Sequence, residues 1–142
     1  MSKKYLFLIL VSGFILSMAS FSCEKAVLKA QENLLYDIIT IGRWEVNKFE
    51  IGTTNIIDEY AGYAFQFTRS GAVTAIKTGG TDVEGTWLGN TETLSITSNF
   101  PVIVNPLVRF NGVWIITKTT QTTVVAYRVV GSETFYLGLK KM

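Results

Sequence analysis

An all-β fold is what this chain predicts: an eight-stranded antiparallel up-and-down barrel behind a single N-terminal helix. Three observations carry the prediction. Beyond Gly42 the apolar residues recur with period two, as along a half-buried strand, and Tyr63, Phe65 and Phe67 alternating with Ala64, Gln66 and Thr68 show it best. Turn-forming clusters then cut the stretch into short runs: Gly52-Thr53-Thr54-Asn55, Ser70-Gly71, Gly79-Gly80, Gly89-Asn90, Asn111-Gly112 and Gly131-Ser132. Only residues 26–40 carry a helical period. So many short strands in one sheet leave edges open to aggregation unless the sheet closes on itself, which favours a barrel. A two-sheet β-sandwich shares the same periodicity and is the alternative.

In chain order, the first feature is a leader over residues 1–22. Lys3 and Lys4 precede an apolar run from Tyr5 to Met18, followed by the small-residue stretch Ala19-Ser20-Phe21-Ser22. That succession reads as a signal peptide, and Cys23, the only cysteine, stands where a lipoprotein signal would be cut. Its thiol is then the expected attachment point for a lipid with palmitate-type chains. A simple cleaved signal and an uncleaved transmembrane helix are the competing readings, the helix weakened by the run's shortness and by Ser12, Gly13, Ser17 and Ser20. The domain reading is therefore 1–22 leader, 23–41 anchor and amphipathic helix, and 42–142 barrel.

Within the helix, Val27, Leu28, Gln31, Leu34, Leu35, Ile38 and Ile39 form one stripe, and Lys29, Glu32, Asn33 and Asp37 the other side. Gly42 is its stop. A stripe of this kind should dock on the body. The strands follow at about 43–51, 61–68, 72–78, 83–88, 92–97, 107–118, 122–130 and 134–140, with Asn111-Gly112 either a turn or a bulge in the sixth. Lys118 to Thr123 folds back as a hairpin.

Composition narrows the chemistry. There is no histidine, which removes Ser-His and Cys-His nucleophiles and histidine metal ligands. With Cys23 lipidated no thiol remains for zinc or a disulfide. The close carboxylates, Asp58-Glu59 and Asp82/Glu84, lie in turn-like surroundings and read as solvated loop charge. No enzyme, metal or cofactor is expected. Loss of the leader removes Lys3 and Lys4 and no acid, so the remainder has equal numbers of basic and acidic residues. Without a basic face, nucleic acid is not an expected partner.

Gly42-Arg43-Trp44, Gly85-Thr86-Trp87 and Gly112-Val113-Trp114 repeat Gly-x-Trp and contain all three tryptophans. With Tyr63/Phe65/Phe67, Gly71/Val73 and Leu94/Ile96, the series resembles the body of small lipocalin-like lipoproteins of Bacteroidota, which also carry a cysteine lipid anchor. The resemblance covers Gly42 to about Ile96. It implies a calycin-like barrel in which Gly42 and Trp44 cap the closed end, and it makes Arg128 the nearest counterpart of the family's late arginine stacked on that tryptophan. Thr81-Asp82-Val83 is the nearest match to the family's second signature, and it departs from it.

The function that follows is an envelope lipoprotein binding a small, hydrophobic or amphipathic ligand. The expected lining is Tyr63, Phe65 and Phe67, completed by Val125, Tyr127 and Val129 and by Phe135, Leu137 and Leu139. Phe100, Pro101, Val102, Ile103, Val104, Asn105 and Pro106 form the expected mouth loop. The alternative is a packed barrel that meets an envelope protein or inhibits an enzyme, since aromatics this numerous also fill a small barrel solid. The expected location is the bacterial outer membrane, lipid-anchored. Its periplasmic face is expected, because Glu24-Lys25-Ala26 lacks the acidic run of surface-exported lipoproteins of the resembling group.

Overall fold

The computed structural model describes residues 23–27 and 29–142. The leader 1–22 and Leu28 of the helical stripe lie outside the described residues. Helix α1 is helical at residues 23–27 and 29–40. Nine strands follow: β1 (Trp44–Ile51), β2 (Thr54–Asn55), β3 (Tyr63–Phe67), β4 (Ala72–Lys77), β5 (Val83–Asn90), β6 (Ser95–Asn99), β7 (Gly112–Thr119), β8 (Thr123–Val130) and β9 (Glu133–Lys141). Two 3₁₀ turns, Ile57–Tyr60 and Leu107–Phe110, interrupt them.

Every neighbouring pair is antiparallel, and β1 also pairs β9 from Trp44↔Lys141 to Ile51↔Phe135, so the sheet closes. The result is an eight-stranded barrel, β2 being a two-residue hairpin extension of β1. Closure rules out the sandwich. The weakest seam lies between β1 and β3, joined by the single bridge Trp44↔Phe65. Ile57–Tyr60 packs against that seam and sends Tyr60 inside, its ring stacked on Phe49 at 4.8 Å.

The antiparallel order places α1, the start of β1 and the turns around 69–71, 91–94 and 120–122 at one end. The 3₁₀ turns and the loops around 78–82, 100–111 and 131–132 lie at the other. Only the C-terminal half of the predicted helical stripe docks: Leu35 and Ile39 are buried, whereas Val27 and Leu34 stay exposed. Tyr36 packs on Trp87 with centroids 4.8 Å apart, and its hydroxyl accepts from Gly89 N at 3.3 Å. Gly42, at φ +83, takes the left-handed turn that ends the helix and starts β1.

Two expectations need correction. The sixth strand begins at Gly112, not 107, because Leu107 and Phe110, three residues apart, bury together as a 3₁₀ turn does. Asn111 closes the loop by receiving Phe100 N at 2.6 Å and donating to Phe100 O at 3.0 Å. In β8 the inward residues are Val124 and Ala126, opposite Leu139 and Leu137, so Val125, Tyr127 and Val129 point outward. Val124 to Tyr127 are all apolar, so alternation is silent there and cross-strand pairing sets the face.

Candidate functional site

The lumen is filled by its own side chains. Phe65 stacks on Phe110 at 4.4 Å, Phe49 meets Trp114 edge-on at 5.7 Å, and Phe67 meets Trp87 edge-on at 5.5 Å. The void left among Phe67, Val73, Ile96, Phe110, Trp114 and Leu137 is about 20 Å³. That is on the order of one water molecule, far below a small-ligand pocket of roughly 300 Å³ or more. Of the expected lining, Phe65, Phe67, Leu137 and Leu139 are core, and Tyr63 and Phe135 are half-buried against it. Val125, Tyr127 and Val129 do not line the lumen.

Both ends are closed. At the α1 end Trp44 is fully buried, donates Nε1–H to Ile39 O at 2.9 Å, and carries the Lys141 ammonium 4.9 Å above its ring. The cation over Trp44 is thus Lys141. Arg128 instead lies between Trp114 and Phe135, 4.9 and 4.7 Å from their centroids. It donates to Arg109 O at 2.9 Å and to Asn111 O, tying the second 3₁₀ turn to β8, while its Nε has no partner. Burial lowers the Arg128 pKa from its ordinary value, opposed by Tyr60 nearby. Burial likewise pushes the Tyr60 hydroxyl well above the usual phenol range, against the pull of Arg109. That hydroxyl donates to Pro106 O at 2.9 Å.

The expected mouth loop is in large part a plug. Phe100 and Pro106 are buried, Val102 packs on the core, and only Pro101, Ile103, Val104 and Asn105 face solvent. Arg109 and Glu59 bridge the two 3₁₀ turns at 2.6 Å across this end. Asp82 accepts from Lys77 N at 3.1 Å inside its turn. Cys23 is exposed at the start of the described helix.

Two surfaces remain that strand alternation alone does not reveal. The first is the outer wall from β5 to β9. Leu88 pairs with Thr97 and Thr97 with Val113, while Ile115 pairs with Tyr127 and Tyr127 with Tyr136. Leu88, Val113 and Val129 are 62%, 51% and 63% exposed, with Tyr136 beside them. An antiparallel sheet normally turns a polar face to water, so β7 and β8, apolar on both faces, stand out. Their signal was the unbroken runs Val113–Ile116 and Val124–Tyr127.

The second surface is a groove of about 490 Å³ between α1 and the β5–β6 turn, walled by Leu34, Leu35, Ile38, Leu94 and Ile116 and rimmed by Gln31, Thr91, Glu92 and Thr119. A further 410 Å³ section shares Leu34 and Ile38 and runs past Ile41, Asp37, Gln121 and Thr122 to Lys141. Leu94 holds φ 47, the only left-handed residue that is not glycine among those described. For a residue with a Cβ this costs about 1–2 kcal/mol. Its carbonyl accepts from Ile116 N at 2.7 Å, which holds the turn in place.

The fold and these surfaces define a class: a small, solid, closed β-barrel with a helix laid over one end and its free apolar groups on the outside. No family model and no curated protein matches the chain. Among solved structures it is similar to the crystal structure of a DUF4847 family protein from Bacteroides vulgatus ATCC 8482, at 16% identity and a TM-score of 0.53. The match covers 75% of this chain and 96% of that one. At such identity the likeness shows the fold.

Proposed function

We propose that this protein is a lipocalin-like envelope lipoprotein, anchored through acylated Cys23, whose packed barrel binds a protein partner with its outer wall. The observation that carries the reading is the contrast between a lumen with about 20 Å³ of space and an exposed apolar wall at Leu88, Val113, Val129 and Tyr136. Burying a side chain of this kind contributes about 1.5–3 kcal/mol, so a handful sustains a specific complex. The charged residues flanking the patch, the Lys48–Glu50 pair beside Tyr136, suit a polar rim. The reading involves no catalysis, cofactor or nucleic acid. Its place is the outer membrane, facing the periplasm.

The test is photo-crosslinking in native membranes from a reactive residue placed at Val113. A discrete crosslinked species that Val129→Lys abolishes, with the melting temperature unchanged, is the expected result. A second copy of the chain in that species identifies the partner as itself. Absence of any discrete species, or one indifferent to Val129→Lys, overturns the reading.

A further inference from the structure

We infer that the groove beside α1 binds a single-chain anionic amphiphile, a fatty acid in form, with its hydrocarbon along Leu34, Ile38, Leu94 and Ile116 and its carboxylate at Lys141. This goes beyond the interaction reading, whose surface is the opposite kind of feature: a convex wall of sheet, not a trench between a helix and two turns.

Shape sets the ligand class. The 490 Å³ section lies within the range of small-molecule sites, and it continues past Leu34 and Ile38 into the 410 Å³ section. A trench bounded on one side by α1 and on the other by the turns at 91–94 and 120–122 accepts one chain lengthwise, and a flat bilayer surface cannot enter it.

The walls are apolar and wet. Leu34 and Leu94 are 59% and 56% exposed although both face the groove. At Leu94 the backbone sits at φ 47, where glycine or asparagine is the economical choice. A leucine in that position keeps an isobutyl group at the groove against local strain, and strained residues of this kind gather at ligand sites.

Charge sets the orientation. Lys141 closes the far section, where its ammonium makes a 3.4 Å bond to Ile38 O and lies over Trp44. No carboxylate pairs with it among the described residues: the neighbouring Asp37 is held by Arg69. Glu92 stands at the other end of the groove and disfavours an anion there. An ammonium with spare donors at one end and a carboxylate at the other select an anionic head at Lys141.

The experiment uses the full chain in phosphatidylcholine nanodiscs, labelled with a palmitic acid that carries a diazirine and an alkyne. Saturable adducts are expected on peptides containing residues 34–38, 91–94 and 116–119. Oleate should compete, and an alkyltrimethylammonium of equal chain length should not. Lys141→Gln should weaken labelling about tenfold and Lys141→Arg should retain it, the scale of one charge-assisted contact. Leu94→Gly keeps the result falsifiable: glycine suits φ 47, so the melting temperature holds or rises while labelling falls severalfold. Adducts confined to the Cys23 peptide or spread over the outer wall, equal competition by the cationic amphiphile, or wild-type labelling of Leu94→Gly each overturns the inference. Crosslinking from Val113 reads the partner surface independently, so the two readings fail separately.

Discussion

The three tryptophans show one solution used three times at the residue scale. Trp44, Trp87 and Trp114 are all buried, and each indole N–H reaches a backbone carbonyl, of Ile39, Thr68 and Phe110, at 2.8–2.9 Å. A buried indole therefore contributes its full apolar area with no stranded donor. The glycine two residues earlier serves a different purpose in each copy. Gly42 makes the left-handed turn, while a Cβ on Gly85 would lie 2.5 Å from Asn99 O and 2.8 Å from the Phe100 ring. Trp44→Ala is expected to lose about 3–5 kcal/mol in urea denaturation. Arg128→Met should lose about 2–4 kcal/mol, because the Arg109 and Asn111 carbonyls are left without their donor. Arg128→Lys should not recover it, since one ammonium cannot span both carbonyls from between two rings. Thermal melts of the two Arg128 variants check both statements.

The loop from Phe100 to Pro106 is the informative case among the elements. Its flanking prolines and apolar residues read equally well as a gate or as a plug. Burial divides it: Phe100 is 2% exposed and Ile103 is 93% exposed. Phe100→Ala is accordingly expected to lose about 3–5 kcal/mol, and Ile103→Ser to stay within about 0.5 kcal/mol of wild type. Equal effects from the two, in parallel denaturant titrations, would show that the loop works as one unit and not as an anchored plug with a free tip. Helix α1 teaches a related lesson. Its stripe is continuous in sequence but wider than the face that docks. Leu35 and Ile39, four residues apart, are therefore buried, while Leu34, turned about 100° around the helix axis from Leu35, is left to wall the groove.

For the molecule as a whole, the proposed placement in the envelope rests on Cys23. Cys23→Ser is expected to remove the acyl mass and release the chain from membranes to the soluble fraction. Retention of the variant in the membrane pellet would make the leader itself the anchor. A barrel with a solid core presents its surfaces in fixed geometry, as the proposed binding role requires.

The sequence by itself determined the number of strands in the barrel wall and their up-and-down order, because period-two runs and glycine-rich turns are local properties that each segment carries alone. Closure, which a sandwich of the same periodicity lacks, was decided by the pairing of β1 with β9. Trp44 as a cap was what the resemblance of Gly42-Arg43-Trp44 to lipocalin-like barrels implied, and in the structure Trp44 is buried with its indole N–H on Ile39 O. The faces of β8 were decided only in the tertiary structure. With Val124 to Tyr127 uniformly apolar, no local pattern separates inside from outside, and only the partners Leu139 and Leu137 across the ladder do. The filled lumen was decided there too. Tyr60 and Phe110 enter the barrel from 3₁₀ turns outside the strands. Whether such side chains leave room for a ligand depends on how rings from distant segments stack, as Phe49 does on Tyr60 and Phe65 on Phe110. Packing of that kind joins residues far apart in the chain, and a linear pattern does not encode its volume.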